Sequence, residues 1–374
     1  MKKWFFAVLL PVLALFRIDA CAGVVGPSQP DAWGFYTYSD NYNINKELEE
    51  TGYAKLVPGK TYYLSSYLRV NSDMILDATG ATLIVYDCAI RNDAGELKKG
   101  YNSMANIRIM GGTWKSYNKG GNAGTSFSFT HARNITLENM DIRCADADGH
   151  GIELVACKNV TIRNCKVIAQ GSGKAKSVEE SIQIDLAAPK TAPYLIGRPY
   201  LWDGTPCRNI SITGCTIKGS RGLCSNYAKN DKKHINRYHD RILVEKCRIT
   251  GTRSEALALF NATNVTVRNN TIITKNNRVK EAYSIGCHLA VFGTAKVSAY
   301  AKGKTLIEKN TIKGGRQGFN MCSHTRARYG KLVIRNNKLY CKKGEKNALH
   351  VAYNAGHKRS AKKIVRSGNK LFQW

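Results

Sequence analysis

Asn159-Val-Thr-Ile-Arg-Asn-Cys165 is the stretch on which the reading of this 374-residue chain turns. Its apolar residues alternate with polar ones at a period of two and are β-branched, which describes a short strand with one face turned to a core. The same grammar returns at Asn134-Ile-Thr-Leu-Glu-Asn, Asn209-Ile-Ser-Ile-Thr-Gly-Cys215, Arg241-Ile-Leu-Val-Glu-Lys-Cys247, Asn264-Val-Thr-Val-Arg-Asn-Asn270, Lys304-Thr-Leu-Ile-Glu-Lys-Asn310 and Lys331-Leu-Val-Ile-Arg-Asn-Asn337, with weaker copies from Asn106 and Lys363. The copies are mostly 23 to 32 residues apart, widening to 40 and 50 where loops intervene. Recurrence at such a period is the mark of a solenoid, and because each copy is a strand the expected fold is all-β, a single-stranded parallel β-helix.

Asn or Cys returns at one turn, at Cys165, Cys215, Cys247, Asn270, Asn310 and Asn337. An internal ladder of amides and thiols accounts for most of the cysteines without chemistry. No C-x-x-C pair occurs, so neither a zinc site nor a complete disulfide framework is indicated. The N-x-T and N-x-S triplets at Asn134, Asn159, Asn209 and Asn264 sit at the repeat's own first position, and we read them as strand grammar. Residues 23 to 100 match the repeat poorly and are expected to cap one end with irregular strands and first coils. Residues 101 to 374 form the regular coils of the same domain, with almost no helix.

A second strand in each coil carries the variation. In register these read Phe127-Ser-Phe, Ile152-Glu-Leu, Ile182-Gln-Ile, Leu223-Cys-Ser, Leu257-Ala-Leu, Leu289-Ala-Val, Phe319-Asn-Met and Leu349-His-Val. The middle residue points outward, giving a column Ser128, Glu153, Gln183, Cys224, Ala258, Ala290, Asn320, His350. The next outward column is Thr130, Val155, Asp185, Asn226, Phe260, Phe292, Cys322, Ala352. Strands stacked about 4.8 Å apart, with residues two apart separated by roughly 6.7 Å, put Glu153 and Asp185 about 8 Å from each other. That lies inside the roughly 6.5 to 9.5 Å an inverting glycosidase leaves between its acid and its base.

Two insertions flank this patch. Residues 187 to 206 hold four of the eight prolines together with Tyr194, Tyr200 and Trp202, and the stretch from Tyr227 to His239 mixes Tyr227, His234 and Tyr238 with Lys229, Lys232, Lys233 and Arg237. Aromatics suit sugar rings, and bases suit carboxylates. The formal charge of +30 points the same way, toward a polyanion. From Ala301 to Trp374 there are 19 Lys and Arg against Glu308 and Glu345.

Met1-Lys2-Lys3, the apolar run from Trp4 to Phe16 and Ala20-Cys21-Ala22 have the parts of a secretory signal, so residues 1 to 22 are expected to be removed and the protein exported. A lipoprotein cysteine at Cys21 is the lesser alternative, because Asp19 suits it poorly. No other stretch is fit to cross a bilayer. Export and the lack of a nucleic-acid-binding motif argue against nucleic acid as partner. An acidic polysaccharide bound by a monomer is the expected partnership.

The order of the acid-bearing strands resembles the polygalacturonases, the family 28 glycoside hydrolases, with their N-T-D-G strand, then D-D-C-I-A-I, then G-H-G-L-S-I-G. Here Asp148-Gly-His-Gly-Ile-Glu-Leu, Glu179-Glu-Ser-Ile-Gln-Ile and Arg221-Gly-Leu-Cys-Ser-Asn take the three places. The resemblance implies a right-handed parallel β-helix of the pectin lyase-like superfamily and hydrolysis of a uronate polysaccharide. Glu179 and Glu180 would take the place of the paired aspartates, Glu180 as general acid, and Asp148 that of the N-T-D aspartate. Arg221 stands where the family has histidine, His150 precedes the strand where the family has acid, and Ala256-Leu-Ala-Leu carries no R-x-K clamp.

The candidate catalytic set is therefore Glu180, Asp148, Glu153, Asp185, Glu179 and His150. Gln183, Arg221, Asn226, Tyr227, Lys229, His234, Arg237, Tyr200 and Trp202 are expected to hold substrate. Hydrolysis needs no metal or cofactor. The alternative is a lyase of the same solenoid class, in which Arg221 with Lys229 removes the proton α to a uronate carboxylate, while Asp148, Glu153, Glu180 and Asp185 hold calcium through oxygen. A non-catalytic glycan-binding surface protein is the third reading.

Overall fold

The computed structural model describes residues 23–28, 40–86, 88–92, 97–117, 126–143, 149–169, 180–275, 284–294, 303–324, 327–345, 347–351 and 360–374. The expected signal segment 1 to 22 lies outside them, as do Asp148 and Glu179.

Each repeat signature is a strand, and among the described residues these strands stack into one parallel sheet of 12, beside two more parallel sheets of 10 and 11. The chain visits the three in rotation, so consecutive strands never pair with each other and each coil lies on the one before. Connections between parallel strands are right-handed for steric reasons, and the chain is a right-handed parallel β-helix. Twelve strands at about 4.8 Å make a stack about 50 Å long.

Register explains the repeat. In the 12-stranded sheet Ile135, Val160, Ile210, Ile242 and Val265 lie directly under one another and are buried. Burial of one such side chain is worth roughly 1.5 to 3 kcal/mol. The first residue of the signature is left-handed, with φ of 61° at Asn106 and 56° at Asn134, Asn159 and Asn209. Asparagine tolerates that region because its short amide bonds locally. Those amides join from coil to coil: Asn134 Nδ2 donates to Asn106 Oδ1 at 2.8 Å, Asn159 to Asn134 at 2.9 Å and Asn209 to Asn159 at 2.9 Å. The triplets are explained by backbone conformation.

The inner ladder is continuous. The backbone N–H of Cys165 meets Cys215 Sγ at 3.4 Å, that of Cys215 meets Cys247 Sγ at 3.4 Å, and that of Cys247 meets Asn270 Oδ1 at 2.8 Å. Asn270, Asn310 and Asn337 pass the pattern on to Asn369. The cysteines among the described residues are all free thiols.

Two expectations need correction. A 12-residue helix, Asp40–Thr51, covers the first coils in place of irregular strands alone. The open end of a solenoid exposes core, and Ile44 and Leu48, one turn apart on this helix, cover it. Asp40 ties the helix down by accepting from the N–H groups of Ser28 and Tyr63, both at 2.6 Å. In the 10-stranded sheet, the strand Ile285–Val291 pairs two residues away from the sequence alignment, so that Ala258 faces His288 and Phe260 faces Ala290. His288, not Ala290, continues the outward column, and Phe292 lies one pleat further on.

Candidate functional site

Two columns on the outer face of the 10-stranded sheet bring the sequence-predicted residues together. The first runs along the strand starts. His150, Glu180, Arg221 and Glu255 occupy equivalent places on four successive coils, Glu180 facing Arg221 directly. Arg221 is 9% exposed and lies between two carboxylates. Its Nη1 is 2.9 Å from Glu180 Oε1, its Nη2 is 2.9 Å from Glu255 Oε2, and Nη2 also reaches Ser254 Oγ at 3.3 Å. Burial works against its charge, but Cys224, Glu255 and Glu180 outweigh burial and raise its proton affinity above that of free arginine. His150 Nδ1 is 3.3 Å from Glu180 Oε2, yet it is not aligned for a hydrogen bond and is left without a partner.

The second column holds Arg69, Arg91, Ser128, Glu153, Gln183 and Cys224 in strict register. Glu153 is 6% exposed and accepts from Ser128 Oγ at 3.0 Å. Burial pushes its carboxyl above the usual range, and the charge of Glu180 adds to that against the opposing pull of His150, Ser128 and Arg91. Asp185 is 0% exposed and its carboxyl is raised well above the usual range, first by burial and then by Glu153. The Gln183 amide donates to Asp185 Oδ2, but Gln183 Oε1 and Asp185 Oδ1 are buried without a partner. Buried polar atoms are rarely left so, and a donor arriving with a ligand would satisfy them.

Beside Glu153 lies a cavity of about 310 Å³ lined by Tyr67, Arg91, Asn92, Ser128, Thr130, Tyr194 and Arg198. Ser128 belongs to both. Tyr194 closes one wall, its hydroxyl 2.6 Å from Thr130 Oγ1. Arg91, Asn92 and Tyr67 were not found from the sequence. Arg91 sits in a two-residue strand, Ile90–Arg91, too short for its alternation to register, although its pairing with Phe127 and Ser128 extends the Glu153 column.

The two insertions divide by role. In the first, a small apolar cluster of Val155, Ala187, Ala192, Leu195 and Leu201 packs against Trp202, whose indole N–H donates to Ala192 O at 2.9 Å. Trp202 thereby fastens the loop, whereas Tyr200 stays exposed. In the second, His234 is buried with Nδ1 2.7 Å from Asp231 Oδ2. A side chain at Gly204, where φ is 73°, would collide with the His234 ring, so His234 joins the two loops. Lys229 and Arg237 are exposed, and Asn226 is half-buried against Asp185. Tyr227 stacks on Phe292 at 3.8 Å between ring centres, and Phe292 stacks on His324 at 4.4 Å.

This architecture is that of a right-handed parallel β-helix. Two solved structures of PfbA, a surface adhesin of Streptococcus pneumoniae, share it: one is 15% identical over 89% of this chain and 93% of that chain with a TM-score of 0.61, the other 14% identical over 89% and 88% with a TM-score of 0.58. A hyperthermoactive exopolygalacturonase from Thermotoga maritima aligns at 9% identity over 88% and 87% with a TM-score of 0.43. No protein-family model and no curated protein matches the chain. Likeness at these identities is likeness of fold. Among the described residues no helix is long and apolar enough to cross a membrane.

Proposed function

We propose that this is a secreted protein that binds an acidic, uronate-containing polysaccharide along the 10-stranded sheet and hydrolyses it with a pair of carboxyl groups. The observation that carries the reading is Glu153, a buried carboxyl that keeps its proton more tightly than usual, beside a cavity with Arg91 and Arg198 in its wall. Two carboxyls in unlike settings are how such sites divide acid from base. Glu153 supplies the proton to the glycosidic oxygen. Glu180, paired with Arg221 at 2.9 Å, is the second carboxyl, a reversal of the role its sequence position suggested. Asp185, fully buried, braces Gln183.

The lyase alternative is weakened at Arg221, the first of its two candidate bases. Arg221 is locked between Glu180 and Glu255 with its proton affinity raised, so it keeps its proton and is not free to act as a base. Binding without cleavage has an observation of its own in favour: Glu180 is 5% exposed, with Oε1 2.9 Å from Arg221 Nη1 and Oε2 3.3 Å from His150 Nδ1.

The test is to incubate purified protein with a panel of uronate polysaccharides while following reducing ends and the absorbance of unsaturated products. Reducing ends alone support hydrolysis, both signals support elimination, and retention without either supports binding. Glu153→Gln should lower hydrolysis about 10²- to 10⁴-fold, the usual cost of losing a general acid. Glu308→Gln, on the 12-stranded sheet, should leave it unchanged.

A further inference from the structure

Three coils beyond Glu180 the same face carries a second set of reactive groups. Cys322 Sγ lies 3.6 Å from His288 Nε2, and His288 Nδ1 lies 3.1 Å from Glu255 Oε1. The pairs meet diagonally across adjacent strands, since Ala290 faces Cys322 and His288 faces Asn320. Glu255 is fixed in turn by Arg221 and Ser254. The edge of Phe260 meets the His288 ring, with centres 5.3 Å apart at 87°.

The order thiol, imidazole, carboxylate is the arrangement that activates a nucleophile: a base within reach of it, oriented by a third group. The Glu255 carboxylate accepts from Nδ1–H, and that tautomer leaves the Nε2 lone pair facing the thiol. His324 Nε2 stands 3.4 Å from the same sulfur on its other side. Cys322 and His288 are half-buried and His324 is exposed. Acyl transfer is the chemistry that a thiol, an imidazole and a carboxylate in this order fit.

We propose that Cys322, His288 and Glu255 form a second catalytic centre that hydrolyses esters of small acyl groups. Cys322 Sγ attacks the ester carbonyl carbon, its proton passing to His288 Nε2. The C–O bond breaks and the alcohol leaves with that proton. Water then attacks the thioester, losing a proton to His288, which returns it to sulfur as the acid departs. Ester and water become acid and alcohol, with no other reactant. Burial pushes the Cys322 thiol up to about 11, so the thiol is neutral at rest and deprotonated by His288 as it attacks. That the natural substrate is an acylated glycan rests on the function proposed above, whereas attack on a simple ester does not.

The experiment uses p-nitrophenyl acetate with the full chain. The expected result is a burst of p-nitrophenolate close to one equivalent and an acetyl group found by mass spectrometry on the peptide containing Cys322. His288→Asn should slow acylation by about 10²-fold or more, and Cys322→Ser should abolish the thioester. Cys88→Ser, at a buried thiol far along the chain, should change nothing. Acetylation spread over several residues, or an acylation rate that His288→Asn leaves intact, overturns the proposal. Zinc held stoichiometrically by wild type and lost in Cys322→Ser also overturns it, in favour of a metal site. A positive result with the simple ester but no acid released from acetylated polysaccharides would leave the thiol centre standing and sink the acylated glycan as its substrate.

Discussion

Arg221 and Glu180 face each other on adjacent coils with 2.9 Å between Nη1 and Oε1, both almost wholly out of water. A buried ion pair is weak support for stability in itself, but breaking one is expensive because a charge is left buried and alone. Here the arginine serves two acids, Glu180 and Glu255. It links the site assigned to glycan cleavage with the one assigned to the thiol.

Arg221→Met should therefore cost about 3 to 5 kcal/mol, read from a denaturant titration. Adding Glu180→Gln and Glu255→Gln should restore much of the loss. If the single variant is as stable as wild type, the acids are solvated and the buried network is wrong.

Acid should unfold the protein partly through Glu255. Burial raises its carboxyl, but the His288 hydrogen bond and the Arg221 charge outweigh burial and hold it at about 2. A depressed folded value means that its contribution is complete above the unfolded value of 4.5 and is lost as pH falls toward 2. Glu255→Gln should flatten the stability profile over that interval, measured by urea midpoints. Glu153 has the opposite sign. Its folded value is raised, so its stabilising share is present at low pH and lost as pH rises through that value. Glu153→Gln should stabilise at pH 8 and do little at pH 4, and equal effects at both would refute the assignment.

The inner ladder makes a stability prediction of its own. Cys215→Val keeps the volume but removes the sulfur that accepts from the Cys165 N–H. An orphaned buried donor costs about 1 to 3 kcal/mol. Cys215→Asn, which imitates the coils at Asn270 and Asn310, should cost less. Thiol counting in denaturant without reductant should find the ten described cysteines reactive, and extensive pairing would contradict the ladder.

Retention on uronate polysaccharides should fall steeply with salt, because the charge of +30 acts through solvent where ions screen it. Arg91→Ala should weaken retention on an acidic glycan, and retention on a neutral one should not change. Salt-insensitive retention, equal on both, would remove the electrostatic account.

The coils were legible because an error in one copy is corrected by the others: Asn159 and Cys165 recur often enough to define both the left-handed turn and the ladder. Glu153, Gln183 and Asp185 followed from counting by twos along strands fixed by that repeat. His288 was hidden because Cys287-His288-Leu289-Ala290-Val291 alternates equally well in two registers two residues apart, and pairing with Leu257 and Phe319 decides between them. Glu255 lies two residues before the strand Leu257–Phe260, where no alternation marks the place. Helix Asp40–Thr51 carries Ile44 and Leu48 in a largely polar sequence, and its role shows only once there is an open end to cover.

The ladder from Cys165 to Asn369 points one way. In each rung the backbone N–H of one coil is accepted by a side chain of the coil that follows it in sequence. A coil is thus chemically unfinished until its successor has arrived. A chain that stops short of Asn369 leaves the Asn337 N–H without the acceptor that the last turn supplies.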